Sequence, residues 1–272
     1  MNMLTTADKR AAFRKLHESG CFIIPNPFDA GSAKALQHLG FKALASTSAG
    51  FAWTIAKADN RVTVDDVCDH LTAISAAVDI PVNADFEDGF AHEPDKVAVN
   101  VARAVKTGVA GLSIEDYTGD NAKPLFEREL AIDRIRAARK AIDADNSGVL
   151  LTGRCEAFLR GVKDMKLVID RLTAYAEAGA DVLYAPGVAT AEEISTVVKA
   201  VAPKPFNLLV GAAGPSLKVA GDLGVRRISV GGGLARTAWS GFMKASKEMA
   251  EQGTFTEIAN GYPGGELNKM FS

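Results

Sequence analysis

The 272-residue sequence predicts an α/β fold, a single (β/α)8 TIM barrel that takes in the whole chain, residues 1–272. Three observations lead to this prediction. Eight short apolar runs alternate with segments of helical periodicity, no linker or low-complexity tract divides the chain, and polar residues follow several of the runs. Eight strand–helix units with right-handed crossovers close most economically into a barrel, and one domain of this length is normal for that fold.

The eight apolar runs have the length and composition of buried parallel strands. In chain order they are CFIIP (21–25), KALAST (42–47), IPVNAD (80–85), GLSIE (111–115), GVLLTGR (148–154), DVLYAP (181–186), PFNLLV (205–210) and RRISVG (226–231).

The segments between the runs have the spacing of amphipathic helices. A polar helix is predicted within residues 1–20, and apolar residues recur three and four apart in VTVDDVCDHLTAISAAV, PDKVAVNVARAVKTG and VKDMKLVIDRLTAYAEAG. The last two segments end in glycine, a common helix stop signal. A doubly wound open sheet is the competing architecture, but the first strand is not followed by the GxGxxG fingerprint.

Composition narrows the class of partner and the compartment. The formal net charge is -2 and the basic residues are scattered, so we expect neither a nucleic-acid stripe nor a polybasic membrane patch, and a small molecule is the expected partner. Three widely spaced cysteines argue against a disulfide framework or a zinc site and fit a reducing cytoplasm. No apolar run is long enough to span a membrane, and residues 1–20 lack the apolar core of a signal peptide.

Polar residues collect where the predicted strands end, which in a barrel is one common mouth. The second strand ends in the hydroxyl residues of positions 46–48, the third in Asp85 and Glu87, the fourth in Glu115 and the fifth in Arg154. Several carboxylates at one mouth repel one another unless a cation is bound, and oxygen ligands suit Mg²⁺ or Mn²⁺. The alternative is that individual acids cap helices or lie in solvated loops, as we expect for Asp88 before Gly89.

These residues also lie in segments that resemble a known family. NADFEDGF (83–90) resembles the D-x-[D/E]-x-G-[F/Y] signature of the isocitrate lyase and phosphoenolpyruvate mutase superfamily. Four further segments resemble superfamily motifs in the same order: STSAGFA (46–52), SIED (113–116), TGRCEAF (152–158) and RRISVGGGLAR (226–236). The resemblance covers about residues 20–240.

The resemblance implies an architecture and an assembly. Superfamily members are (β/α)8 barrels whose eighth helix is exchanged between subunits, usually in a dimer of dimers. Residues 235–272 would then form a C-terminal helical segment that crosses to a partner in a homotetramer.

The resemblance also implies roles for individual residues. Asp85 would bind Mg²⁺ directly, and Asp59, Glu87 and Glu115 would hold its waters. The backbone N–H groups of Ser48 and Ala49, the Thr47 hydroxyl, Asn207 and Arg154 would bind the substrate, and the expected catalytic residues are Arg154, Asp59, Glu115 and Thr47. Two alternatives stay open: Arg154 could form a structural ion pair with Glu156, and the hydroxyls of residues 46–48 could cap the following loop.

Departures from the superfamily motifs restrict the reaction. The loop after strand four is YTGDNAKPLF (117–126) and lacks the KKCGH motif of the lyases, which argues against isocitrate and methylisocitrate lyase activity. Cys155 is expected in the core, and Lys123 is expected to be an ordinary solvated lysine. Ala185–Pro186 stand where the phosphonate enzymes place a histidine, which weakens the prediction of phosphonyl transfer.

The function predicted best is Mg²⁺-dependent cleavage of a C–C bond in a small α-oxo dicarboxylate, for instance by an oxaloacetate decarboxylase or hydrolase working through a metal-stabilised enolate. Three alternatives remain. They are C–P chemistry, as in phosphoenolpyruvate mutase or phosphonopyruvate hydrolase, a metal-free synthase binding phosphate at Gly231–Gly233, and a non-catalytic α-oxo acid binding protein.

Overall fold

The computed structural model describes residues 4–272 and contains, within them, one sheet of eight parallel strands. The strands are β1 (Phe22–Ile23), β2 (Leu44–Ala45), β3 (Val82–Asp85), β4 (Gly111–Glu115), β5 (Leu150–Arg154), β6 (Val182–Tyr184), β7 (Phe206–Leu209) and β8 (Arg227–Ser229). Each strand lies inside one of the predicted apolar runs, so all eight predictions are confirmed.

The strands follow the order β1-β8-β7-β6-β5-β4-β3-β2 around the sheet. At the seam between β1 and β2, the backbone N–H of Ala45 donates to the Pro25 carbonyl at 3.0 Å. This is the (β/α)8 TIM-barrel fold that the strand count predicts, and the open doubly wound sheet is not formed.

Helices connect successive strands and cover the outside of the sheet. They are α1 (Thr6–Leu16), α2 (Ala30–His38), α3 (Ser48–Thr54), α4 (Val64–Ala77), α5 (Pro94–Lys106), α6 (Arg128–Ala144), α7 (Met165–Glu177), α8 (Ala191–Val201), α9 (Leu217–Asp222), α10 (Gly233–Gln252) and α11 (Gly264–Phe271), with a 3-10 helix at Thr256–Asn260. Capping boxes fix the starts of α1, α2, α4 and α8. The helix predicted within residues 1–20 is α1, and residues 1–3 lie outside the described chain.

Helix α1 closes the amino-terminal end of the barrel. Phe13 is fully buried in a cluster with Ala43, Ala110 and Leu150, which lie at or just before the beginnings of β2, β4 and β5, and with Ile24, which follows β1. The opposite, carboxyl-terminal end is left for the loops that carry the polar motifs.

The interior of the barrel is more polar than two-sided burial of parallel strands would suggest. Polar residues stand two apart on four strands, which places each pair on one face of its strand: Asn83 and Asp85, Ser113 and Glu115, Thr152 and Arg154, and Arg227 and Ser229. The second residue of each pair lies at the end of its strand, so the polar interior continues into the mouth.

The C-terminal helices lie apart from the main core. Ala235 and Glu248 are the residues of α10 that are buried in the described chain, whereas Trp239, Phe242 and Met243 are exposed. Helix α11 packs on α2, and α10 contacts the 3-10 helix. No helix within residues 4–272 is long and apolar enough to cross a membrane.

Candidate active site

A cavity of about 170 Å³ opens at the carboxyl ends of the strands. Seven of the predicted site residues line it: Thr47, Ser48, Ala49, Asp59, Asp85, Arg154 and Asn207. The other two, Glu87 and Glu115, line an adjoining cavity of about 110 Å³ together with Tyr117. The structure therefore gathers every predicted site residue at one end of the barrel.

Asp85, the last residue of β3, holds the loop after β2 in place. Its Oδ2 accepts hydrogen bonds from the Ser48 backbone N–H at 2.9 Å and from the Ser48 hydroxyl at 3.0 Å. Its Oδ1 lies 3.2 Å from Nη1 of Arg154. The N–H of Asp85 itself donates to the Ser46 hydroxyl.

Arg154 lies among three carboxylates. Its Nη1 is 3.1 Å from Glu115 Oε2 and 3.2 Å from Asp85 Oδ1, and its Nε donates to Glu156 Oε1 at 2.6 Å. The guanidinium also lies 5.0 Å from the centre of the Tyr184 ring. The ion pair with Glu156, which is the alternative considered for Arg154, is thus present together with contacts to Asp85 and Glu115, two acids predicted for the metal site.

Glu87 lies in a loop of unusual backbone conformation. Its φ is 44°, and Gly89 and Phe90 follow with φ values of 79° and 56°. Left-handed backbone is costly for residues other than glycine and often marks a functional site. The side chain is only 9% exposed, and its Oε1 has no hydrogen-bond partner within residues 4–272.

The acids raise one another's pKa values. Burial, followed by the charges of Asp85 and Asp59, raises the pKa of Glu87 to about 8. Burial also raises the pKa of Glu115, with Glu156 and Asp85 adding to the effect against the opposing charge of Arg154. The pKa of Asp59 is raised by burial and by Asp85. This cluster favours protons or a cation over bare carboxylates at neutral pH.

The acids fit a divalent cation that keeps much of its water. Within residues 4–272, no three His, Cys, Asp or Glu side chains are close enough to form a direct ligand cluster. Mg²⁺ needs only one or two protein carboxylates and retains several waters. Glu87 Oε1, which is buried and has no partner among residues 4–272, is a suitable acceptor for such waters, as are the neighbouring carboxylates of Asp59, Asp85 and Glu115.

The loop after β2 offers fewer free donors than the motif suggests. Thr47 is the N-cap of α3, and its hydroxyl accepts the Gly50 N–H at 3.3 Å, which is the capping role considered as an alternative. The Ser48 N–H is bonded to Asp85. Ala49 stands at the second position of α3, where a backbone N–H has no intrahelical acceptor and can face a ligand.

The glycine run after β8 is already engaged by a side chain. The N–H groups of Val230 and Gly231 donate to Asn26 Oδ1 at 2.8 and 2.9 Å. These are donors that a phosphate group would need, so the geometry does not favour the phosphate-binding alternative.

Three further residues occupy the positions expected of them. Cys155 is fully buried in the core. Lys123 lies on the surface 3.1 Å from Glu127, and both side chains are exposed. Asp88 forms a turn in which its Oδ1 accepts the Phe90 N–H.

Several cavity residues are absent from the predicted set. Tyr184 and Arg227 line the cavity, as do Asn26, Asn83, Ser113 and Ser229. The period-two spacing of polar residues in β3, β4 and β8 is the signal that would have found Asn83, Ser113 and the Arg227–Ser229 pair. No comparable signal distinguishes Tyr184, because an aromatic residue is ordinary in a buried strand.

Comparison with known proteins places this geometry in a family. The sequence profile of the phosphoenolpyruvate phosphomutase family matches residues 13–250. The chain belongs to this family. It is therefore an enzyme of the isocitrate lyase and phosphoenolpyruvate mutase superfamily, as the five motifs predict.

Individual relatives agree with that assignment. A crystal structure of a proposed lyase or mutase from Burkholderia cenocepacia J2315 shares 45% identity, covers 98% of this chain and 97% of its own, and superposes with a TM-score of 0.94. An oxaloacetate decarboxylase of Pseudomonas putida GB-1 is 31% identical over 204 residues, which are 71% of this chain and 67% of the relative. The structure of an oxaloacetate acetylhydrolase with oxalate is 26% identical, covers 98% of this chain and 94% of its own, and has a TM-score of 0.86.

Proposed function

We propose that this protein is a Mg²⁺-dependent lyase that cleaves a C–C bond of a small α-oxo dicarboxylate of the oxaloacetate type, with Mn²⁺ as an alternative metal. The observation that carries the proposal is the convergence of Asp85, Glu87 and Glu115 with Arg154 at the mouth of the barrel. Within residues 4–272, one buried oxygen of Glu87 has no hydrogen-bond partner there. A cavity of about 170 Å³ fits a substrate of a few carbons.

The residues divide the work between holding the metal and holding the substrate. Asp85 would be the direct ligand, and Asp59, Glu87 and Glu115 would accept hydrogen bonds from metal-bound water. A bound divalent cation would supply positive charge beside the oxygen on which the enolate develops. Arg154 contacts Asp85 and Glu115 through ion pairs, and in this proposal it would also bind a substrate carboxylate.

The reaction balances without a further co-reactant in the case of decarboxylation. The bond between the carbon next to the carbonyl and the remote carboxylate breaks, and its electron pair becomes the enolate. The carboxylate leaves as CO₂, and a proton added to the same carbon gives the shorter oxo acid. In this proposal the Ala49 N–H, which lines the cavity at the second position of α3, would donate to the substrate carboxylate that remains.

The oxaloacetate enzymes among the relatives support this reaction class, whereas the matching family profile is that of a phosphomutase, which is the C–P alternative. Their activities include oxaloacetate decarboxylation and acetylhydrolysis, both of which break a C–C bond of an oxo acid. A 2-methylisocitrate lyase of Escherichia coli is also similar, at 31% identity over 170 residues. The loop at 117–126 contains no cysteine or histidine to match the KKCGH motif of such lyases, so we favour the oxaloacetate-type substrate.

We also propose a cytoplasmic homo-oligomer with helices exchanged between subunits. The exposed apolar face of α10 supports an exchange of residues 235–272, and a dimer of dimers is the assembly we expect. The three cysteines are free within the described chain, which suits a reducing compartment.

Pyruvate release tests the proposed reaction. Purified protein receives oxaloacetate or phosphonopyruvate, each with Mg²⁺ and with a chelator. We expect metal-dependent release from oxaloacetate and a loss of about 10²–10³-fold or more in kcat/KM for Asp85→Ala, because a group that stabilises the transition-state charge is removed. Asp133→Ala, which changes an exposed acid on α6, serves as the matched control and should leave the rate unchanged.

Other outcomes would contradict the proposal. Release from phosphonopyruvate alone would move the assignment to C–P chemistry. Release that persists in chelator, or that Asp85→Ala leaves intact, would remove the metal from the reaction. Ligand binding with no turnover of either acid would leave a binding protein.

A further inference from the structure

Arg227 is a buried cation that the proposed reaction leaves without a role. It is the first residue of β8, its side chain is 3% exposed, and it lines the same cavity as Asp85 and Arg154. A buried guanidinium is costly unless its charge is compensated. Its surroundings therefore decide what it can do.

In the part of the chain that the structure describes, the hydrogen-bond partners of Arg227 are all neutral. Its Nε donates to Asn207 Oδ1 at 2.8 Å, its Nη2 donates to Thr152 Oγ1 at 3.0 Å, and its Nη1 lies 3.3 Å from Nε2 of His17. The Nδ1 of His17 is 2.8 Å from the Phe13 carbonyl, which makes it the protonated nitrogen and leaves Nε2 to accept from Arg227. Burial, and then the charge of Arg227, lowers the pKa of His17 to about 3, so the ring is neutral.

Arg227 thus differs from the other arginines buried near the site. Arg154 pairs with three carboxylates, and Arg171 pairs with Asp116 at 3.0 Å. Within residues 4–272, no carboxylate lies within 4.0 Å of the Arg227 guanidinium, because none of the ion pairs of that part of the chain includes it. A guanidinium has five N–H donors, and three are used here, so two remain for a ligand.

The position of Arg227 relative to the acids fits a second carboxylate of the substrate. Thr152 stands two residues before Arg154 on β5, on the same face and about 7 Å further from the mouth. Because Arg227 donates to Thr152, its guanidinium lies about one layer of side chains below Arg154. The three C–C bonds of a four-carbon dicarboxylate span about 4 Å, and a hydrogen bond adds about 3 Å.

We propose that Arg227 binds the carboxylate of the substrate that is remote from the α-oxo acid end, in a subsite at the base of the cavity. That the opposite end of the substrate is an α-oxo acid rests on the proposed function. Arg154 is already neutralised by its carboxylates, whereas the charge of Arg227 attracts a further anion. Asn207, predicted as a substrate-binding residue, then acts through Arg227 by orienting it, together with Thr152.

A pair of four-carbon acids tests the subsite directly. Oxaloacetate and 2-oxobutanoate share the α-oxo acid end, and only oxaloacetate carries the remote carboxylate. Under turnover with Mg²⁺, the affinities are compared as the KM of oxaloacetate and the competitive inhibition constants of 2-oxobutanoate and of oxalate, a probe of the metal end alone. If the protein turns over neither acid, the ligand-dependent rise in melting temperature with Mg²⁺ measures all three. We expect the wild-type protein to bind oxaloacetate at least tenfold more tightly than 2-oxobutanoate, and Arg227→Gln to lose that preference while its affinities for 2-oxobutanoate and oxalate change less than twofold.

The controls separate folding from binding. Circular dichroism and the ligand-free melting temperature show whether Arg227→Gln is folded. Arg227→Lys keeps the charge but loses the planar fork, and we expect it to reduce the preference at least threefold. If Arg227→Gln does not fold, the Arg227→Lys variant tests the subsite in its place. An equal affinity of the wild-type protein for the two acids, or an unchanged preference in the variants, would overturn the subsite.

The subsite and the proposed function can fail separately. A preference for oxaloacetate that depends on Arg227, found in a protein that turns over no oxo acid, would contradict the lyase function and keep the subsite. Metal-dependent turnover of oxaloacetate, with an oxaloacetate affinity that does not depend on Arg227, would support the lyase function and contradict the subsite.

Discussion

Arg154 and Arg227 are buried arginines of one cavity, and their neighbours give them different electrostatic roles. Arg154 is surrounded by acids and serves to hold them together. Arg227 is surrounded by an amide, a hydroxyl and a neutral histidine, and its charge remains available. Residue type alone could not separate the two, because the difference lies in which side chains the fold brings to each.

At the scale of single residues, the titration of Glu87 should make metal binding depend on pH. Its pKa in the folded protein is about 8, above the ordinary value of 4.5, so the folded apo-protein holds a proton that the unfolded chain releases between these values. The stability from Glu87 is therefore complete below about pH 4.5 and is lost as the pH rises through about 8. A cation requires the carboxylate, so metal affinity should change in the opposite direction.

We expect Mg²⁺ binding to release protons at pH 7 and its affinity to rise with pH up to about 8. Isothermal titration calorimetry in two buffers with different heats of ionisation measures the release, and Glu87→Gln should lower it by about one proton per Mg²⁺. Glu127→Gln, an exposed change, is the control. Equal proton release in wild-type and Glu87→Gln protein would show that Glu87 is not coupled to the metal.

At the scale of elements, the loops at the mouth are tied together by one buried acid. Asp116 follows β4, and its Oδ1 accepts the Glu156 N–H at 2.7 Å in the loop after β5. Its Oδ2 accepts from Arg171 at 3.0 Å and from the Tyr175 hydroxyl at 2.6 Å, both on α7. Through Glu156, this network also supports the position of Arg154.

Removing Asp116 should destabilise the protein strongly. Asp116→Ala leaves the buried guanidinium of Arg171 uncompensated, and we expect a loss of about 3–5 kcal/mol in the free energy of unfolding. Urea denaturation measures it. Asp133→Ala, which breaks an exposed pair with Arg136, should cost less than about 1 kcal/mol. Similar losses in the two variants would mean that the buried network contributes no more than a surface pair.

The elements were predictable to different degrees. Each strand was found because its residues carry an apolar run, and Asp85, Glu115 and Arg154 were found because they end such runs. Ser48, in contrast, donates its N–H to Asp85, and Thr47 caps α3, although the sequence suggested donors for a substrate. The Ser48–Asp85 contact joins residues 37 apart in the chain, so local patterns do not specify it, whereas the Thr47 cap is local and was the alternative considered for the hydroxyls of residues 46–48.

At the scale of the whole molecule, the barrel buries its apolar residues in its own core, whereas α10 leaves most of its apolar residues exposed. Most of α10 is exposed, and Trp239 packs edge to face on Phe242 at 5.4 Å on this open surface. An exposed apolar patch on a helix of this length commonly marks a protein interface. The resemblance to the superfamily predicted a helical segment here, and a covering partner would come from another chain.

We expect the wild-type protein to be an oligomer and Phe242→Asp to shift it to a species of half the mass or less, because a charge would be buried at the interface. Sedimentation velocity measures both masses. Val99→Asp, which changes an exposed apolar residue on α5, should leave the mass unchanged. A monomeric wild-type protein, or an unchanged mass for Phe242→Asp, would contradict the exchange of C-terminal helices.

The closure of the amino-terminal end by α1 affects the order in which a substrate enters the barrel and its products leave. Phe13 seals that end, and His17, one turn further on, contacts Arg227 from below. The interior cavity is therefore closed at the amino-terminal end and open to solvent only at the carboxyl-terminal mouth. The substrate carboxylate that binds Arg227 must enter the cavity before the rest of the substrate. A product released beside Arg227 can leave only after the part of the substrate that lies nearer the mouth has left. The order of departure would then be set by architecture rather than by affinity.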